Sequence, residues 1–282
     1  MYPNLNTGAL GVQATLPGQI DLAKRHGFGG IDFSITEAQS LAASQGVAAV
    51  KALFDDAGIR PGSFGFPVEY RKDEMIWREG LKALPDQAKL ARDLGCDRSA
   101  TWLLPGDNER DLRANFRFHV ERLRPAALIL ADYGIRFGLE FIGPKTSRVS
   151  RTYRFLYTLE GMLALAAAID TGNVGLLLDL WHLYAAHGSN DQVLELKNAD
   201  VVVVHVNDAP AGVPIDEQLD NVRALPGETG VMDIAGFMAA LQAIDYDGPV
   251  TAEPFSRRVR ELPAEEAVAV TAASMQKIWP RR

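Results

Sequence analysis

The sequence predicts an α/β fold built as a single (β/α)8 TIM barrel over residues 1–282. Three observations carry that prediction. Eight short apolar runs recur along the chain, near residues 7–14, 29–35, 59–66, 98–104, 135–142, 174–180, 201–206 and 248–253. Helix-length stretches separate most of them, and strands alternating with helices imply a parallel sheet with helical crossovers. Eight such units in 282 residues match a closed barrel, which usually takes about 250 residues. An open doubly wound sheet would show a Gly-rich turn after its first strand. Gly8 and Gly11 do not make that fingerprint.

The connecting stretches read as helices in turn. Pro17 to His26 has Pro at a helix start and ends at Gly27. Glu37 to Ala57 is Ala-rich and stopped by Gly58. Trp77 to Leu94 and Asn108 to Tyr133 end before Gly95 and Gly134. Thr158 to Ile169, Ile234 to Ile244 and Ala264 to Trp279 complete the set. Asn207 to Val231 is the longest irregular stretch, rich in Pro, Gly and Asp. A loop that long in a compact domain is usually functional.

Composition sets limits on the partner. The net charge is -7 and no basic run appears, which disfavours nucleic acid and anionic membranes, since both need clustered Lys and Arg. The single cysteine, Cys96, excludes an internal disulfide and a cysteine-based zinc motif. No apolar run reaches the roughly 18 residues of a membrane span. The N-terminus lacks a charged start followed by an apolar stretch, so a cytoplasmic location is expected.

Barrels of this kind place active-site residues at the C-terminal ends of their strands. The fifth strand ends in Leu-Glu140-Phe, the sixth in Leu-Asp179-Leu, the seventh in Val-His205-Val, and the eighth in Ala-Glu253-Pro. Each residue alone has an ordinary structural reading: a cap, an ion pair, a satisfied core histidine, a surface acid. Four metal-capable side chains at the same end of four successive strands favour a shared site. Three carboxylates and one imidazole suit Mn²⁺, Mg²⁺ or Co²⁺, and are compatible with Zn²⁺. His182 reads as a fifth ligand, a donor behind the ligands or a substrate contact, of which the last is favoured.

Several stretches resemble the sugar isomerase/epimerase superfamily with the xylose isomerase-like barrel. They are Gly138-Leu-Glu140-Phe-Ile-Gly143, Asn173-Val-Gly-Leu-Leu-Leu-Asp179 with His182, and His205-Val-Asn-Asp208. Arg223-Ala-Leu-Pro-Gly227 with Gly230 and Asp233, and Glu253-Pro-Phe255, extend the match and are most similar to the inosose isomerase branch. The likeness is close from Ile135 onward and covers only element order before it. Leu225 and Pro254 depart from the inosose pattern. Thr146 and Ala211 stand where the ketose 3-epimerase branch has Glu and Arg, which weakens the epimerase reading.

The resemblance implies one divalent ion, Mn²⁺ first, held by Glu140, Asp179, His205 and Glu253. It implies proton transfer beside a carbonyl through an enediolate, with Glu140 and Glu253 as the acid/base pair. His182 and Arg223 would contact a carbohydrate or cyclitol substrate, with a surface ion pair to Asp220 or Glu217 as Arg223's alternative role. Trp181, Trp102 and Phe66 are candidates for apolar pocket walls, and Lys145 and Asp208 for lesser polar contacts. A ketose 3-epimerase, a hydroxypyruvate isomerase and a keto-sugar dehydratase or lyase would all use the same site. An abasic-site endonuclease would need histidines at the ends of strands three and four, where Phe66, Pro67, Trp102 and Leu103 stand. A non-catalytic sugar-binding barrel need not keep all four ligands. A homodimer remains open.

Overall fold

The computed structural model describes residues 1–280. Eight parallel strands close into a barrel: β1 (Tyr2–Leu5), β2 (Gly30–Phe33), β3 (Arg60–Gly65), β4 (Arg98–Leu103), β5 (Arg136–Phe141), β6 (Val174–Asp179), β7 (Val201–Val206) and β8 (Pro249–Ala252). Strand order follows chain order, and β8 closes on β1 through Tyr2 beside Pro249. Every residue of β7 is buried, as is β6 after its first. That burial on both faces is why these strands read as unbroken Val and Leu runs rather than as alternation.

Helices α1 (Leu16–Arg25), α2 (Ile35–Gln45), α3 (Val47–Ala57), α4 (Glu74–Leu94), α5 (Leu112–Asp132), α6 (Lys145–Arg148), α7 (Leu159–Ile169), α8 (Leu180–Ala185), α9 (Asn190–Leu194), α10 (Ile234–Ala243), α11 (Arg257–Arg260) and α12 (Ala264–Ile278) surround the barrel. Seven of the eight expected strands fall within a residue or two of their runs. The first does not. Residues 7–12 fold back as turns, with the Leu10 and Val12 N–H groups donating to the Thr7 carbonyl, and β1 lies earlier at Tyr2–Leu5. Its Pro3 and Asn4 are poor strand formers that mask it in sequence, whereas Leu10 and Val12 are apolar because they are buried. The expected helix Glu37 to Ala57 is broken in two at Gly46, whose φ of 87° interrupts helical geometry.

Candidate metal centre and active site

The ends of β5 to β8 meet at one mouth of the barrel. Register sets Asp179 on β6 directly beside His205 on β7, and Trp102 on β4 beside Glu140 on β5. Glu253 follows the last residue of β8, and its N–H donates to Asn207 Oδ1 at 2.7 Å. The four ligand atoms of Glu140, Asp179, His205 and Glu253 all lie within 4.8 Å of one another. Asp179 also starts α8, where its Oδ1 accepts the Trp181 N–H at 2.7 Å. That bond fixes the carboxylate and leaves Oδ2 facing the cluster.

Such crowding sets the protonation of each group. Burial pushes the Glu140 carboxyl well above its usual range, and Glu253 and Asp179 add to the push against the opposing pull of His205. For Asp179 the upward push of burial is outweighed by Arg223, His182 and His205, which hold it at about 2. Glu253 is likewise lowered, since His205 and Arg223 overcome burial. Burial alone would depress His205, but Glu253, Glu140 and Asp179 raise it to about 10.

Two atoms in this cluster lack partners. Glu140 Oε1 and His205 Nδ1 are buried without a hydrogen bond. They stand 3.8 Å apart, and Glu253 Oε2 is 3.4 Å from the same imidazole nitrogen. Leaving a buried polar atom unsatisfied costs about 1–3 kcal/mol. A divalent cation among the four ligands would engage both atoms. Three carboxylate oxygens and one imidazole nitrogen fit a hard or borderline metal.

Arg223 and His182 complete the wall. Arg223 Nη1 donates to Asp179 Oδ2 at 2.7 Å and to Glu253 Oε2 at 3.1 Å. Its Nη2 donates to Asp220 Oδ1 at 2.8 Å, and its Nε to the Asp220 carbonyl at 2.9 Å. The ion pair with Asp220 therefore coexists with a place at the site. Two donors approach His182: the Gly143 N–H lies 3.3 Å from Nδ1, and Arg223 Nη2 lies 3.1 Å from Nε2. That nitrogen faces Asp220 Oδ1 at 3.6 Å and Glu140 Oε1 at 3.9 Å. A neutral imidazole accepts at one nitrogen only, so one of these two donor contacts is a hydrogen bond and the other is a close approach. Burial and Arg223 lower His182 to about 4, keeping it neutral. Only glycine fits at 143, because a Cβ there would stand 2.0 Å from the His182 carbonyl oxygen.

These groups open onto a cavity of about 540 Å³, whose lining includes Trp102, Glu140, His182, Arg223, Glu253 and Phe255. That volume suits a small ligand. Phe255 has φ +37°, a conformation that costs a non-glycine residue about 1–3 kcal/mol and persists where the surroundings impose it. Its ring stands 4.8 Å from the Arg223 guanidinium.

Two expected wall residues fall elsewhere. Trp181 is fully buried and does not line the cavity; its ring backs the Arg223 guanidinium at 4.6 Å. Phe66 packs on Phe137 at 4.6 Å and lines a separate polar hollow of about 650 Å³ across the mouth, beside Asp32. Lys145 is paired with Asp216 at 2.6 Å. Asp208 is buried and accepts N–H groups from Thr229, Gly230 and Met232, so it pins the loop carrying Arg223. Gly143, Asn207 and Phe255 gain roles that sequence reasoning did not assign. All three lie inside the motifs quoted above, so the signal was present, but no spacing rule reveals which backbone group a neighbour will use.

The family model described as xylose isomerase-like TIM barrel matches residues 20–278. The chain belongs to this family. Among curated relatives, inosose isomerase of Bacillus velezensis is 25% identical over 260 residues, covering 90% of this chain and 89% of that protein. The 3-dehydroshikimate dehydratase of Pseudomonas putida is 25% identical over 92% of this chain but 39% of its own length. Among solved structures, a xylose isomerase domain protein from Alicyclobacillus acidocaldarius superposes with a TM-score of 0.87 at 30% identity, covering 98% of this chain and 97% of that one. The IolI protein with a bound zinc atom superposes at 0.81 with 20% identity, covering 99% and 98%. Among the described residues no helix is long and apolar enough to cross a membrane.

Proposed function

We propose that this chain is a divalent-metal-dependent isomerase or epimerase of a keto-sugar or inosose. The observation that carries the reading is the buried cluster of Glu140, Asp179, His205 and Glu253, with its two unpartnered atoms, opening onto a small-molecule cavity. A cation held by these four residues would supply Lewis-acid polarisation of a carbonyl and neutralise the charge that develops on its oxygen. Glu140 and Glu253 come from β5 and β8, on different sides of the cavity, so one removes the proton beside the carbonyl and the other returns it. Asp179, fixed by the Trp181 N–H, and His205 act as anchors. His182, neutral, and Arg223 hydrogen-bond the substrate's oxygens, and Trp102 and Phe255 form the apolar wall. The inosose isomerase relative supports this class of substrate.

The dehydratase relative favours a second reading, in which the same proton removal leads to loss of water. One experiment addresses both. The protein, supplemented with Mn²⁺, Mg²⁺, Co²⁺ or Zn²⁺, is incubated in D₂O with inososes, ketohexoses and hydroxypyruvate. Deuterium entering the carbon beside the carbonyl marks proton transfer, and product masses separate isomerisation from dehydration. Glu140→Gln and Glu253→Gln should each abolish exchange with the fold intact, and full exchange in either removes the assignment.

A further inference from the structure

The cavity has a second face that the proton-transfer residues do not use. Ser147, Ser150 and Arg151 line it on the side supplied by the segment after β5. Arg151 forms no ion pair among the described residues, although every carboxylate of the cavity wall stands within ion-pair distance of Arg223 or a histidine. Its Nε is buried without an acceptor. Neither serine hydroxyl is bonded to another group among the described residues. Arg148, stacked on Tyr157 at 3.9 Å, and Arg71, stacked on Trp102 at 3.9 Å and donating to its carbonyl, stand outside the cavity lining. Of the guanidinium groups that line the cavity, Arg223 is taken up by carboxylates and Arg151 is not.

The segment is also held in place. Tyr153–Arg154 pairs antiparallel with Gly106–Asp107, and the Thr152 N–H donates to Asn108 Oδ1 at 3.1 Å. The stem of Arg151 lies against the Gly106 backbone so closely that a Cβ on Gly106 would stand 2.6 Å from Arg151 Cβ. A guanidinium positioned this way, with one N–H already desolvated and two serines lining the same cavity, is matched by a planar anion that accepts two parallel hydrogen bonds.

We propose that Arg151, with Ser147 and Ser150, binds a carboxylate on the substrate, so that the preferred substrate is a keto acid whose carboxylate lies several carbons from its reacting carbonyl. This rests on the reading of the Glu140 and Glu253 end as the reacting end. One guanidinium and two hydroxyls suit a monoanion better than a phosphate dianion.

The test uses matched probes: D-fructose, D-fructuronate (the same ketose with its sixth carbon oxidised to carboxylate) and D-fructose 6-phosphate. Binding to the full-length, Mn²⁺-supplemented protein is measured by titration calorimetry. D-Fructuronate should bind at least about tenfold tighter than D-fructose, the gain expected of a charge-assisted hydrogen-bond pair. Arg151→Gln should erase that preference without changing D-fructose binding or the melting temperature, Arg151→Lys should restore part of it, and Arg154→Gln, the same charge change on an exposed neighbour, should leave it intact. An acid that binds no tighter than the neutral sugar, absence of binding included, overturns the assignment. So does an Arg151→Gln variant that weakens both sugars alike. Tighter binding of the phosphate than of the carboxylate overturns the carboxylate in favour of a phosphorylated ligand. Deuterium exchange is scored separately: its loss in every ketone counts against the reaction class and leaves the binding preference standing, whereas a flat preference with exchange intact counts only against Arg151.

Discussion

Replacing Glu140 with Gln separates a functional cluster from a structural one, because the two predict opposite effects on stability. Glu140 shares the mouth with Asp179 and Glu253, with ligand atoms within 4.8 Å; at an effective dielectric constant of about 20, two unit charges at that separation repel by roughly 3.5 kcal/mol. The metal-free protein avoids part of that repulsion by keeping Glu140 protonated, since burial and the neighbouring carboxylates raise its pKa. A raised carboxyl binds its proton more tightly in the folded state than in the unfolded chain. Its stabilising effect is therefore complete below about pH 4.5 and fades as pH rises toward the folded value. Gln imitates the protonated group without titrating. Metal-free Glu140→Gln should accordingly match wild type near pH 4.5 and exceed it at pH 8, by up to about 3 kcal/mol on the Coulomb figure above. Added metal should reverse the ranking. At a free Mn²⁺ concentration about 100 times its dissociation constant, wild type gains about 2.7 kcal/mol; a variant binding roughly 100-fold more weakly gains about 0.4 kcal/mol. Melting curves at pH 4.5 and 8, with Mn²⁺ and with EDTA, read all four values. A metal-free variant clearly less stable than wild type at pH 8, or an unchanged Mn²⁺ shift, would refute the reasoning.

Other tests follow from single contacts. Gly143→Ala sets a Cβ 2.0 Å from the His182 carbonyl, so the segment must move; a loss of about 1–3 kcal/mol should appear in urea titrations, with lost exchange activity. Buried His119 donates from Nδ1 to the Asn115 carbonyl, and burial lowers its pKa to about 4. A depressed histidine contributes stability that is complete above its unfolded pKa of about 6.5 and is lost as pH falls toward 4, here on the order of 3 kcal/mol; the acid slope of stability should be shallower in His119→Phe, whatever that variant costs at pH 7.5. Cys96 is buried and its thiol is pushed up to about 12 by burial, so a thiol reagent should label it only after unfolding. Asp208→Asn should weaken the anchoring of the 207–231 loop, raising KM more than it lowers kcat.

The four clustered residues were legible because each sits at the end of an apolar run, and strand ends are local in sequence. Asp179 needed no knowledge of His205 to be found, yet barrel closure brings them side by side. What sequence could not supply was the direction of side chains beyond the strands. Trp181 is two residues past Asp179 and looks like a wall, but α8 begins there and turns its ring behind Arg223. Phe66 follows β3 on the far side of the mouth, a placement that depends on barrel geometry and not on pattern. Strand β1 was misplaced because four residues containing Pro and Asn carry little strand signal, while the buried turn after them carries much. Helix α8 was hidden within what read as the end of an apolar strand.

The site draws its parts from two sources with different mechanical properties. Glu140, Asp179, His205 and Glu253 are carried on or beside strands whose register is locked by a closed ring of hydrogen bonds, and none can shift without straining its neighbours. Arg223, Asp220, Ser147, Ser150 and Arg151 belong to two segments, each joined to the barrel at its two ends. The 207–231 segment is tied into the cluster, since Asn207 holds the Glu253 N–H and Arg223 bonds Asp179 and Glu253, whereas the 144–156 segment forms no hydrogen bond or ion pair with the four clustered residues among the described residues. For anyone redesigning this barrel, the stretch around 144–156 is the interchangeable part, and a transplant there is a route to a new substrate on unchanged chemistry.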